Sequence, residues 1–240
     1  MPAPSTRPIA RTIVRSRPRP TTAKRPGPPP AAGRGDAATA TRDLIFAAAA
    51  AHFSTHGFDG VSVDAIALAA GVNKAMIYYH FEGKLGLYRA VVRDMLGAVG
   101  GAATAIAASA DAPEKKIARF IQTLASLREA RPLFPPLMMR EMAAGAPRLD
   151  GDTLALMKSI FAAFGAILHS GVAAKVFRPV HPLLAYMSIM GPMLMNAVRE
   201  RAAARPGRAD LPMFVPVDRR ELVAHMQETA LRMLAKDRPR

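Results

Sequence analysis

The stretch from Thr41 to Val92, TRDLIFAAAAAHFSTHGFDGVSVDAIALAAGVNKAMIYYHFEGKLGLYRAVV, constrains this chain more than any other part of it. Ile45, Ala49, His52 and Phe53 fall at helical spacing and predict one buried stripe, which makes His52 a core histidine. Gly57 follows where that helix needs a left-handed terminus, a conformation glycine adopts without a Cβ penalty. Ser62 is placed to cap a second helix whose inner face is Val63, Ile66, Ala67 and Ala70. Gly71 turns the chain, and Asn73 caps a third helix that points Val72, Ile77 and Phe81 inward. Two short helices joined by a tight glycine-containing turn make a helix-turn-helix. The outer face of the third helix carries Lys74, Ala75, Met76, Tyr78, Tyr79 and His80, a ridge suited to a DNA major groove.

The contacts sort by chemistry. Ser62 and Asn73 stand at helix starts, where free N–H groups and the positive dipole end suit a phosphate oxygen. Lys84 opens a fourth helix and is expected on a phosphate across the groove, with Tyr79 and His80 donating to the backbone. Base reading falls to Lys74, which can donate to guanine, and to Ala75, Met76 and Tyr78, which suit the thymine methyl.

The run GVNKAMIYYHFEGK resembles the recognition segment of TetR-type transcriptional repressors, and AAAAAHFSTHGFDGVSVDAIA resembles that family's first two helices. The resemblance covers roughly Arg42 to Val92. It implies the same division of contacts, and with it a homodimer on a pseudo-palindromic operator, released by a small effector held in a C-terminal helical bundle. His52 stands where a large apolar residue is common, and Gly83 where a serine-like cap is usual. Leu85 and Gly86 replace polar and helix-favouring residues, and Gly86 is expected to cost about 1 kcal/mol relative to alanine.

At 240 residues the chain can bury a sizeable core. It has no cysteine, hence no disulfide or thiolate zinc site, which fits a cytoplasmic location. No apolar run reads as long enough to span a bilayer: Pro182 to Val198 is interrupted by Gly191, Pro192 and Asn196. The N-terminus lacks a signal-peptide core. Residues 1–40 read as an unstructured, proline-rich basic tail, with eight basic residues against one acid in the first 36 positions. That tail is either a solvated bystander or an arm for DNA phosphate. Residues 41–97 are neutral, with five basic and five acidic residues, so phosphate attraction must be local or borrowed from elsewhere.

Past Val92 the pattern is helical throughout. The fourth helix is expected to end near Gly100, and a fifth to span Pro113 to Ala130 with Asp111 near its cap. Three more are expected at 134–144, 152–173 and 182–203, and a last one at 218–236 after a D-R-R-E capping box. The stripe Leu222, Val223, Met226, Ala230, Met233 and Leu234, with the helix at 182–203, predicts a homodimer interface. Eight methionines between Met138 and Met195 suit an adaptable core or a plastic pocket. The pocket reading nominates Met138, Glu141, Met142, Met157, Phe161, His169, Tyr186 and Met190 around a hydrophobic effector.

Paired carboxylates, a phosphate loop and metal-spaced histidines are all missing, so no enzyme, cofactor or metal is expected. The reading is therefore all-α: a tail at 1–40, a helix-turn-helix domain at 41–92, and a helical effector and dimerisation domain at 93–240. The resemblance implies ligand-responsive repression through double-stranded DNA as its function. The alternative is an effector-independent, nucleoid-associated DNA-binding protein.

Overall fold

Alanine, leucine and methionine runs punctuated by glycine and proline produce helix after helix. In the computed structural model, residues 32–132, 134–208 and 211–236 are described. They form α1 (Ala32–His56), α2 (Val63–Ala70), α3 (Ala75–Phe81), α4 (Lys84–Ala108), α5 (Pro113–Ala130), α6 (Phe134–Ala143), α7 (Gly151–Ala173), α8 (Pro182–Ala203) and α9 (Arg219–Leu234), with a 3-10 turn at Pro212–Phe214. Among the described residues there is no strand, only an isolated bridge between Phe177 and Ala235. Helix starts follow local chemistry. Pro113 and Pro182 occupy the first helical positions of α5 and α8, where a missing N–H costs nothing. Asp150 accepts from Thr153 N–H at 3.0 Å to cap α7, and Asp218 accepts from Arg220 and Glu221 N–H to cap α9.

Several expectations need correction. Helix α1 begins at Ala32, inside the segment read as tail, because Ala37, Ala38 and Ala40 extend a helix without needing a core. The rest of that tail, residues 1–31, lies outside the described residues. Helix α4 does not stop at Gly100 but runs on to Ala108. A Cβ on Gly100 would stand 3.4 Å from Ile160 Cγ1, so the small residue lets α4 and α7 pack closely. These two helices are also long and apolar enough, by length and composition, to cross a bilayer, contrary to the sequence reading. In the fold they pair with each other and line the core. Asp111 stands, as expected, beside the cap of α5, which is Ala112, but makes no capping hydrogen bond. It binds Lys115 and Arg119 instead, and their hydrogen bonds hold its carboxyl down at about 2.

Two apolar clusters make up the core. The first joins Ile45, Phe53, Ile66, Ile77 and Phe81 to the first half of α4, and takes in Leu137 and Met138 from α6 and Ile160 from α7. The second joins the rest of α4 to α5, α7, α8 and α9. Helix α4 thus belongs to both, and α6 docks directly on α1. Met226 and Leu234 are buried within the second cluster, where α9 packs on α5, and are not a free dimer face. An apolar stripe shows that a helix face is covered, and here the chain covers it itself.

Candidate nucleic-acid interface

The helix-turn-helix is built as its caps require. Ser62 Oγ accepts from Ala65 N–H at 3.0 Å at the start of α2. Gly71 closes α2 in the left-handed conformation at φ 66°, and the N–H of Val72 returns to the Ala67 carbonyl. Asn73 Oδ1 then accepts from Ala75 N–H at 2.9 Å, starting α3. Ile77 and Phe81 are buried beneath α3, and Val72 packs half-buried against the same cluster. Above them Ala75, Tyr78 and Tyr79 face outward, the two tyrosines 57% and 78% exposed. Large rings left in water on a short, rigid helix form the most prominent feature of this face.

Other nominated residues are less free. Lys74 Nζ lies 3.2 Å from Asp64 Oδ1 on α2, with both side chains well exposed. Such a pair is weak and easily exchanged. Met76 is half-buried and packs against the core. His80 is half-buried, its ring is edge-on to Tyr79 at 4.9 Å, and its buried Nε2 has no hydrogen-bond partner. Lys84 Nζ sits 4.3 Å from the centre of the Phe58 ring, a cation–π contact that leans the side chain on the domain. His52, read as core, is half-buried, with its ring 6.2 Å from that of His56, and the stripe beside it is closed by Ile45, Ala49 and Phe53.

The turn between α3 and α4 shows why the chain carries glycines there. Glu82 and Gly83 both have positive φ, 59° and 103°, and Gly83 lies against the Tyr78 ring. Gly86, read from sequence as a helix weakness, stands where a Cβ would meet the Phe81 carbonyl oxygen at 1.9 Å. Glycine is there because α3 and α4 approach too closely for any side chain.

Behind this unit lies a buried polar junction that sequence reading missed. Tyr88 of α4 meets Phe53 and Phe58 edge-on, at 5.1 and 5.2 Å. Its hydroxyl donates to Glu141 Oε2 of α6 at 2.6 Å. Burial, and then this carboxylate, push the Tyr88 pKa far up, so the hydroxyl stays a donor. Glu141 Oε1 accepts from Arg148 N–H at 3.0 Å, while the Arg148 guanidinium bonds Asp59 at 2.5 Å and covers Phe58 at 4.7 Å. Arg93 of α4 ion-pairs with Asp150 at the start of α7. No local signal exposes these partners, because Tyr88 and Glu141 are 53 positions apart.

Of the residues nominated for an effector pocket, Phe161 and Tyr186 come together with rings 5.9 Å apart, and Tyr186 and Met190 border the second cluster. Met157 and Met138 pack on the first cluster. Met142 and His169 are exposed, and Glu141 is committed to Tyr88 and Arg148. A cleft of about 300 Å³ between α5, α6 and α8 has other walls: Arg128, Pro132, Pro136, Ala197, Glu200 and Arg201.

Residues 45–91 match the family model of bacterial regulatory proteins, tetR family. The transcriptional regulator RutR of Escherichia coli O157:H7 is 31% identical over 149 residues, covering 62% of this chain and 70% of that one. The chain belongs to the TetR family. It is a DNA-binding transcriptional regulator, and its relatives are regulators, not enzymes. Among solved structures, the TetR-family regulator PfmR of Thermus thermophilus superposes with a TM-score of 0.62 at 26% identity, covering 80% of this chain and 99% of that one. The ketosteroid transcriptional regulator KstR2 of Mycobacterium tuberculosis shares the fold at a TM-score of 0.64 and 20% identity, covering 82% and 95%. TetR-family regulators bind DNA operators and act as dimers.

Proposed function

We propose that this regulator is a homodimeric repressor whose α3 ridges enter successive major grooves of an inverted-repeat operator, and which a small hydrophobic effector releases. The observation that carries the reading is the ridge itself: Tyr78 and Tyr79 stand exposed on a helix locked from beneath by Ile77 and Phe81. In this reading Lys74, Ala75 and Tyr78 read bases, with the exposed edge of Met76 beside them. Ser62, Asn73, Tyr79, His80 and Lys84 hold phosphates and set the register. The Lys74 ammonium, held only by an exposed ion pair with Asp64, can exchange that partner for DNA.

We put the effector near Phe161 and Tyr186, whose rings meet between α7 and α8, with Met190 one helical turn beyond Tyr186. Displacement there reaches α6 and α4 through the shared packing, and the Tyr88–Glu141–Arg148 junction ties α6 to the DNA-binding unit. Release requires the effector to prefer one arrangement of that junction over the other. The homodimer face is α8, where Leu184, Met187 and Met195 remain exposed. Fluorescence anisotropy on a duplex selected from a random pool tests the reading. Tyr78→Ala with Tyr79→Ala should lower affinity at least tenfold with the helical spectrum unchanged, and undiminished affinity would remove the ridge from the interface.

A further inference from the structure

Between α8 and α9 the chain follows the sequence LPMFVPV, residues 211–217. Four of its seven residues are large, apolar and open to solvent: Leu211 is 47% exposed, Met213 68%, Val215 53% and Val217 41%. The segment is nonetheless held in a definite course. Phe214 N–H bonds the Leu211 carbonyl at 2.8 Å, closing the 3-10 turn, and Pro212 and Pro216 restrict the backbone on either side. Arg199 of α8 donates to the Val215 carbonyl at 2.6 Å, and the Arg208 guanidinium lies 5.9 Å from the centre of the half-buried Phe214 ring. Polar side chains thus anchor a strip whose apolar side chains face away from the body. A linker with only connecting work to do is ordinarily polar, and a fixed apolar ridge of this kind marks an interaction surface.

We propose that Leu211–Val217 is an intermolecular strap, whose outward apolar side chains bury against the second copy of this chain in the homodimer. The inference rests on the α8 dimer face of the proposed function and extends it to a segment outside the two helices. Continuity selects the occupant. Arg199, which ties the strap down, follows Met195 by one helical turn, so the strap borders the exposed stripe Leu184, Met187, Met195 and Val198. Charge points the same way. The chain carries a net +15, so two copies repel over most of their surface, and association must come from patches that are apolar and uncharged. The strap and the α8 stripe together make such a patch, and a two-fold axis sets the patch against its own copy.

The test compares three proteins by sedimentation equilibrium across a concentration series. With Leu211, Met213, Val215 and Val217 all changed to serine, the dimer dissociation constant should rise at least tenfold while the helical spectrum stays that of the parent. An unchanged dissociation constant for this variant, with Met187→Glu on α8 turning the protein monomeric, overturns the strap and leaves the α8 face standing. If neither variant weakens the dimer, the α8 face falls as well. A second readout works even if the serine variant folds poorly. The chain has no cysteine, so Met213→Cys takes a spin label at one position. The label should lose mobility as protein concentration carries the sample from monomer to dimer. Equal mobility at both ends of the series, or immobilisation only on added lipid vesicles, refutes contact with a second copy.

Discussion

Alanine at position 86 and alanine at position 97 should move stability in opposite directions, although both replace a glycine inside α4. Helix propensity alone assigns each a gain of about 1 kcal/mol. At Gly97 nothing lies within 4 Å of the added methyl, so that gain stands. At Gly86 the methyl would sit 1.9 Å from the Phe81 carbonyl oxygen, which belongs to the backbone and cannot swing aside. The carbonyl is followed by two residues already at positive φ, so the turn has little slack with which to yield. Overpacking of this kind costs about 1–3 kcal/mol, and a backbone obstacle places it toward the upper end. The net expectation for Gly86→Ala is a loss of about 2 kcal/mol, against a gain of about 1 kcal/mol for Gly97→Ala. For a chain of this size that corresponds to a melting temperature about 4–8 °C lower and about 2–4 °C higher, respectively. Circular dichroism melts at one fixed protein concentration measure both, since dimerisation makes the midpoint concentration-dependent. If Gly86→Ala melts at or above the parent, the close approach of α3 and α4 is not as described.

Three further outcomes follow from the same geometry. Tyr88→Phe leaves the buried Glu141 carboxylate short of a donor and should cost about 1.5–3 kcal/mol in urea unfolding, whereas a change within experimental scatter would mean the junction is not under strain of desolvation. Thr153, through its hydroxyl and N–H, and then Arg93 hold the Asp150 carboxyl well below the usual carboxylate range. A lowered folded-state pKa adds stability above the unfolded value near ~3.9, and that stability is lost as pH falls through the folded value. The stability gap between the parent and Asp150→Asn should therefore be constant above about pH 5 and close in stronger acid, and a gap that ignores pH contradicts the assignment. Lys84→Ala should weaken binding to all duplexes alike and lower the salt slope by about one unit, while an unchanged slope would leave Lys84 on Phe58 and off the phosphate.

The parts legible in the sequence are those with local causes. Pro113, Pro182, Ser62 and Asp218 mark helix starts by chemistry that acts within one turn, and α3's inner and outer faces follow from its helical period. Long-range choices were hidden. The stripe of Met226 and Leu234 said only that α9 is covered, and α5 rather than a partner covers it. Gly86 read as a defect because its reason, the Phe81 carbonyl, becomes visible only when the turn is built. Glu141 reads from sequence as a pocket residue, yet its hydroxyl donor lies on α4. The ion pair of Lys74 with Asp64 also crosses the turn between two helices, where no helical spacing rule applies.

The most direct test is selection of binding sites from a random duplex pool at physiological salt, with the parent protein and with Lys74→Ala. Two α3 ridges related by a two-fold axis should enrich an inverted repeat, its half-sites set by the spacing of successive major grooves. Lys74→Ala should keep that spacing and change the preferred base at one position in each half-site. Enrichment of unrelated duplexes with no shared repeat, with binding governed by salt alone, would contradict a sequence-reading regulator.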